Sequence, residues 1–188
     1  MKEKKYFKKN DKLSLYNTRL YGYGSKRNNY GEWDNYGEGY RQAIELIERE
    51  VLENDRKNQD FLIYPYCFLI RHFIEIRLKE IIYEGTKKLY NEPKKAKGHR
   101  LISLLEKAQN VLKDFWGESY QEPPKIVSIF IKELNTIDEG SDRFRYPFDL
   151  KGDKSIAETE INFKNLSEYF EEVKWYFEEI TEGLVAEE

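Results

Sequence analysis

The stretch FLIYPYCFLIRHFIEIRLKEII, residues 61–82, constrains the fold of this chain more than any other segment. It is apolar enough to lie in the middle of a core. Yet Arg71, His72, Glu75 and Lys79 fall within about 100° of one another on a helix of 3.6 residues per turn. Charges on such a helix are either satisfied inside the protein or set around a ligand. Arg71–Glu75 and Glu75–Lys79 are both i,i+4 pairs, which suits an internal salt-bridge network. The alternative is a polar pocket floor, with Arg71 and His72 binding an anion and Glu75 orienting them. The two readings are compatible, because a structural network can also hold a phosphate.

The 188 residues fit one domain, and 36% of them are charged against 39% hydrophobic. Aromatics reach 15%, so the core and any ligand pocket should be lined with rings. The net charge of -3 gives no global drive toward nucleic acid; such affinity needs a local patch. Two basic clusters exist, Lys2 to Lys12 and the segment 87–100, and each reads most simply as solvated surface. A single cysteine, Cys67, rules out an internal disulfide framework and fits a reducing cytosol. No window holds the roughly 18 uncharged apolar residues of a membrane span, and the N-terminus lacks a signal-type apolar region. A soluble, cytoplasmic protein without membrane contact is expected.

Residues 1–37, with Gly22, Gly24, Gly31 and Gly37 among aromatics, read as an irregular Lys/Tyr/Gly-rich arm ahead of a bundle over 38–188. Tyr40, Ala43, Ile44, Ile47, Val51 and Leu52 predict a helix over about 38–54. The apolar segment predicts a second over about 63–85, with Pro65 in its first turn and Gly85 ending it. A third runs from His99 to Trp116, and a fourth from Pro123-Pro124 to about Asp138. Residues 140–160 form a polar loop or short hairpin. Asn165 then caps a last helix, with Glu168 in the capping-box position. About five amphipathic helices with short links predict an all-α, antiparallel bundle.

Two further places carry candidate chemistry. His99 lies beside Gly98 and Arg100 near a helix start, where N–H groups and the helix dipole favour anions, or it is a polar residue packed at the bundle end. In Arg143-Phe144-Arg145-Tyr146-Pro147, an extended backbone would point the arginines to one side and the rings to the other. That pattern grips phosphate and stacks bases, unless the arginines merely tie the loop to acids such as Glu75 or Asp142. No metal site or cofactor is expected: Cys67 and His72 are five apart, off one helical face, without a second Cys or an HExxH pattern. Phosphate-binding glycine loops and serine-triad spacings are missing too. An enzyme here would use metal-independent acid/base chemistry, with His72 or His99 as the catalytic group and Arg support.

The order GYRQAIELI (39–47), IYPYCFLIRHFIEIRLKEII (63–82), GHRL (98–101), DRFRYPFDLKGD (142–153) and INFKNL (161–166) resembles bacterial HEPN-like proteins over roughly residues 38–180. HEPN domains are small helical bundles found in toxins, defence systems and partners of minimal nucleotidyltransferases. Ribonuclease members carry an Arg, four to six intervening residues and then a His on one late helix. This chain has only His72 and His99, with no Arg at that spacing before either. The resemblance thus implies the bundle fold, homodimerisation through helix faces and association with nucleotide or RNA, not nuclease activity.

Together these readings predict a binding module for a nucleotide, RNA or other phosphate-bearing ligand, in a bacterial defence or toxin–antitoxin setting. Its pocket would use Arg71, His72, Glu75, Lys79, His99, Arg143, Arg145 and Tyr146. A metal-independent endoribonuclease with a rearranged His/Arg site is one alternative. The other is an interaction protein that docks a partner, its charges serving only the fold.

Overall fold

A computed structural model describes residues 32–54, 58–156 and 161–186. Five α-helices, α1 (Glu32–Glu53), α2 (Gln59–Tyr90), α3 (Leu101–Trp116), α4 (Lys125–Ile137) and α5 (Phe163–Ala186), form an all-α bundle. Among the described residues no helix is long and apolar enough to cross a membrane.

Helix α2 is the axis. Its buried residues run round the whole circumference, from Tyr66, Cys67 and Ile70 to Ile81, Ile82 and Thr86. A helix apolar on every side is stable only when enclosed. Helices α1, α3 and α5 enclose it. Phe73 meets Phe170 and Phe177 edge-on at 5.5 and 6.4 Å, and Tyr66 stacks on Phe163 at 4.4 Å. Such paired rings add to plain area burial.

Contacts along α2 give the helix directions. Tyr66 bonds Glu48 late in α1, whereas Arg77 reaches Asp34 at its start, so α1 and α2 are antiparallel. Toward α3, Arg71 meets His99, Gly85 faces Val111 and Tyr90 bonds Asp114, so α2 and α3 run the same way. Helix α5 also follows α2, with Phe163 beside Tyr66 and Leu184 beside Gly85. α3 and α4 are antiparallel, since Ile102 bonds Asn135 and Lys113 pairs with Glu122 just before α4. The parallel α2–α3 pair depends on the segment 91–100, which doubles back along α2. Ten extended residues span roughly 30 Å. That matches the roughly 30 Å rise of the twenty helical residues between Arg71 and Asn91.

Several boundaries differ from the sequence reading. Helix α1 starts at Glu32, so residues 32–37 belong to it rather than to an irregular arm; residues 1–31 lie outside the described residues. Trp33, Tyr36 and Tyr40, spaced three and four apart, extend the helical stripe upstream. Helix α2 begins four residues earlier than expected, placing Pro65 inside it rather than in its first turn. Pro65 and Phe61 are exposed, so the carbonyl left without a donor is open to water. Gly85 does not end α2, which continues to Tyr90. A Cβ there would lie 2.4 Å from Cγ1 of Val111, so the glycine permits close approach of α3. The αL residue that ends α2 is Asn91, at φ 53°. Helix α5 is capped by Asn162, whose Oδ1 accepts the Asn165 N–H at 3.1 Å, instead of by Asn165 with Glu168. The expected hairpin is a single bridge between Phe148 and Lys154.

Candidate functional site

Helix geometry sets Arg71, Glu75 and Lys79 on one stripe of α2, and the returning segment and the α4–α5 loop close over it. The Arg71 guanidinium is fully buried and meets a ring of acceptors. Its Nη1 donates to Glu75 Oε2 at 2.9 Å and its Nε to the Asp138 carbonyl at 2.8 Å. Its Nη2 donates to the His99 carbonyl at 2.6 Å and, at 3.4 Å, to that of Glu139. His99 and Asp138 lie outside α3 and α4, so neither carbonyl is held in a helical bond. The Asp138 carboxylate faces the same guanidinium, 3.5 Å from Nε. Its Oδ1 accepts the N–H groups of Asp142 and Arg143 at 2.8 and 3.0 Å, forming the turn that follows α4.

Glu75 carries the next link. Its Oε1 accepts from Lys79 Nζ and faces His99 Nδ1, each at 2.8 Å. Burial alone pushes this carboxyl up, but hydrogen bonds from Lys79, His99 and Arg71 outweigh it and hold it below the usual carboxylate range. Arg71, Glu75, Lys79 and His99 are therefore one continuous network, as the i,i+4 spacing suggested for three of them. The exposed His99 ring is oriented by a buried carboxylate.

His72 stands beside this network and packs among rings. Its ring meets Tyr40 edge-on at 4.6 Å and stacks on Phe68 at 5.6 Å. Burial holds its imidazole below the ordinary range; Lys79 and Arg71 add to that against the pull of Glu75. Arg145 lies over the Phe68 ring too, its guanidinium 5.9 Å from that ring and 5.4 Å from that of Tyr146.

A cleft of about 400 Å³ opens between the start of α1, the middle of α2 and the returning segment. Its floor is His72, Glu75, Ile76 and Lys79, its walls are Trp33, Tyr36 and Tyr83, and Lys95 stands at its edge. Three predicted site residues thus line one cavity. Arg71 does not: it is fully buried, and its guanidinium donates to protein acceptors. Arg143 turns away and donates to the Ile137 carbonyl at 3.1 Å. Neither loop arginine pairs with Glu75, whose side-chain partners are Arg71, Lys79 and His99.

The expected alternation in the loop is also absent. Arg145 and Tyr146 donate their N–H groups back to the Asp142 carbonyl, which makes a turn rather than an extended strand. Phe144 alone is buried, leaving Arg143, Arg145 and Tyr146 exposed together. At the start of α3, Asn135 Oδ1 takes the Ile102 N–H at 3.4 Å. Cys67 is buried, which pushes its thiol up to about 12 and leaves it protonated and inert.

Asp138, Lys95, Trp33, Tyr36 and Tyr83 were not singled out from sequence. The aromatic spacing upstream of Tyr40 was a signal for Trp33 and Tyr36; Lys95 belongs to the basic segment 87–100, read as solvated surface, and nothing local marked Asp138. No protein-family model, curated protein or solved structure matches this chain, so the chemistry of the cleft stands on its own geometry.

Proposed function

We propose that this chain is a binding module for a phosphate-bearing ligand, a nucleotide or RNA, which enters the cleft above Glu75. The observation that carries this reading is the composition of that cleft. Aromatic walls surround Lys79, Lys95 and His72, and the one carboxylate on the floor is neutralised by protein cations. Small-molecule sites typically combine an apolar lining with a few convergent polar groups in this size range. Among the described residues, Lys95 makes no ion pair, so its charge is available to a ligand. The HEPN resemblance agrees with this ligand class. It adds the setting: a cytoplasmic homodimer in bacterial defence or toxin–antitoxin biology.

The test is calorimetric titration with nucleotides and short RNA oligomers, repeated on Lys79→Met and Lys95→Met. Micromolar to millimolar binding that weakens about tenfold or more in each variant is the expected outcome. Equal binding by wild type and both variants would place the ligand elsewhere.

One observation favours a second reading, a metal-independent ribonuclease. His99 is exposed while its Nδ1 faces buried Glu75, the arrangement in which a carboxylate orients a general acid or base. RNA cleavage in EDTA that disappears in His99→Ala but persists in Arg145→Ala would establish it. No cleavage by wild type would leave binding as the activity.

A further inference from the structure

The aromatic wall of the cleft carries a more specific assignment, which rests on the phosphate-binding reading above. Trp33 and Tyr83 come from different helices, and their ring centroids lie 6.0 Å apart with planes inclined at 50°. Rings at that angle and spacing form a corner, not a slot: a planar group can lie on one face while its edge meets the other ring, but nothing fits between them. Tyr36, on the same side of α1 one turn on from Trp33, extends the wall toward solvent and is itself 67% exposed.

Beside this corner stand the cations. Lys79 is one helical turn before Tyr83 on α2, and Lys95 is presented by the returning segment, which the Lys94 N–H anchors to Thr86 Oγ1 at 2.8 Å. Aromatic and cationic groups therefore occupy adjoining walls of one cavity of about 400 Å³. A free phosphate would leave the rings uncovered, and a long strand would exceed the cavity. A single base with its phosphate uses both walls.

We propose that the cleft is a mononucleotide site. The base packs in the Trp33–Tyr83 corner, the phosphate lies between Lys79 and Lys95, and purines are preferred over pyrimidines. The purine preference follows from area: stacking strength scales with ring overlap, and an open corner selects size rather than hydrogen-bonding pattern. His72 borders the phosphate end of this floor. As a neutral imidazole at neutral pH it contributes a hydrogen bond, and on protonation a third positive charge.

The experiment is a calorimetric titration of the full chain with AMP, CMP, ribose 5-phosphate and inorganic phosphate, repeated on Trp33→Leu and Tyr83→Leu. Far-UV circular dichroism checks that each variant keeps its helices. AMP should bind at least several-fold more tightly than CMP and about tenfold or more above ribose 5-phosphate. Both leucine variants should remove that advantage while retaining ribose 5-phosphate binding. Tyr83→Leu leaves the first turn of α1 intact, so it remains informative if Trp33→Leu unfolds. Equal affinity for AMP and ribose 5-phosphate would overturn the base corner and leave phosphate binding standing. Failure of all four ligands to bind would overturn the mononucleotide site, and failure of short RNA oligomers as well would overturn the phosphate-binding reading.

Discussion

Two buried ion networks lie on nearly opposite sides of α2, and they differ in how completely their charges are met. On the cleft side, Glu75 receives Arg71 on one oxygen and Lys79 with His99 on the other. On the α1 side, Glu80 receives Arg77 at 2.7 Å, and the same Nη1 is shared with Asp34 at 3.1 Å. The Arg77 Nε is buried without a hydrogen-bond partner, and its guanidinium lies 5.4 Å over the Phe73 ring. Gly37 lets α1 approach, since a Cβ there would lie 2.7 Å from the guanidinium carbon. The carboxyls respond in opposite directions. Hydrogen bonds pull Glu75 below the usual range in spite of burial, whereas burial pushes Glu80 above it in spite of Arg77. Burial is common to both; Glu75 has three donors against it, whereas Glu80 has Arg77 alone and the added repulsion of Asp34 and Glu84.

The largest expected effect breaks the comparison at its cations. Arg71→Met strips Glu75 and Asp138 of a buried partner and orphans three carbonyls, so urea unfolding should show a loss of about 3–5 kcal/mol. Arg77→Met should cost less, about 1–3 kcal/mol, because Glu80 already resists ionisation and neutralises readily. The Arg77→Met deficit should also shrink between pH 7 and pH 5 as Glu80 takes up a proton. Equal losses at both pH values would mean that donor count is not the controlling variable.

The carboxylates give the next effect. The ionised form of Glu75 is favoured by folding, so its contribution is present above the unfolded value, about 4.3, and is lost as pH falls through its lower native value. Glu75→Gln should therefore lower stability at pH 7 by about 1–3 kcal/mol and flatten the acid limb of the stability curve. Glu80 has the opposite sign, so Glu80→Gln should cost less at pH 7 than Glu75→Gln, with the Gln carbonyl still able to accept from Arg77 and Asp34 still pairing its charge. A matching loss in the two variants would erase the distinction.

The smallest effect belongs to His72. Its folded imidazole resists a proton that the unfolded chain accepts, so stability should decline as pH drops below about 6.5. His72→Phe should reduce that slope in urea titrations between pH 7 and pH 5. A slope unchanged by the substitution would assign it to other groups.

Local periodicity alone supplied a great deal. The apolar stripes of five helices, the enclosure of residues 61–82 and the Arg71–Glu75–Lys79 ladder all depend on 3.6 residues per turn, which neighbours in sequence define. Tertiary structure decided the rest, because those relations link residues far apart in the chain. Asp138 meets Arg71 across 67 positions, Lys95 reaches the cleft only because residues 91–100 double back, and Gly85 is explained by Val111 rather than by its neighbours. Arg71 shows the division most clearly. Sequence placed it beside Glu75 on an apolar helix, and only the acceptors converging from two distant loops made it a buried support for the site.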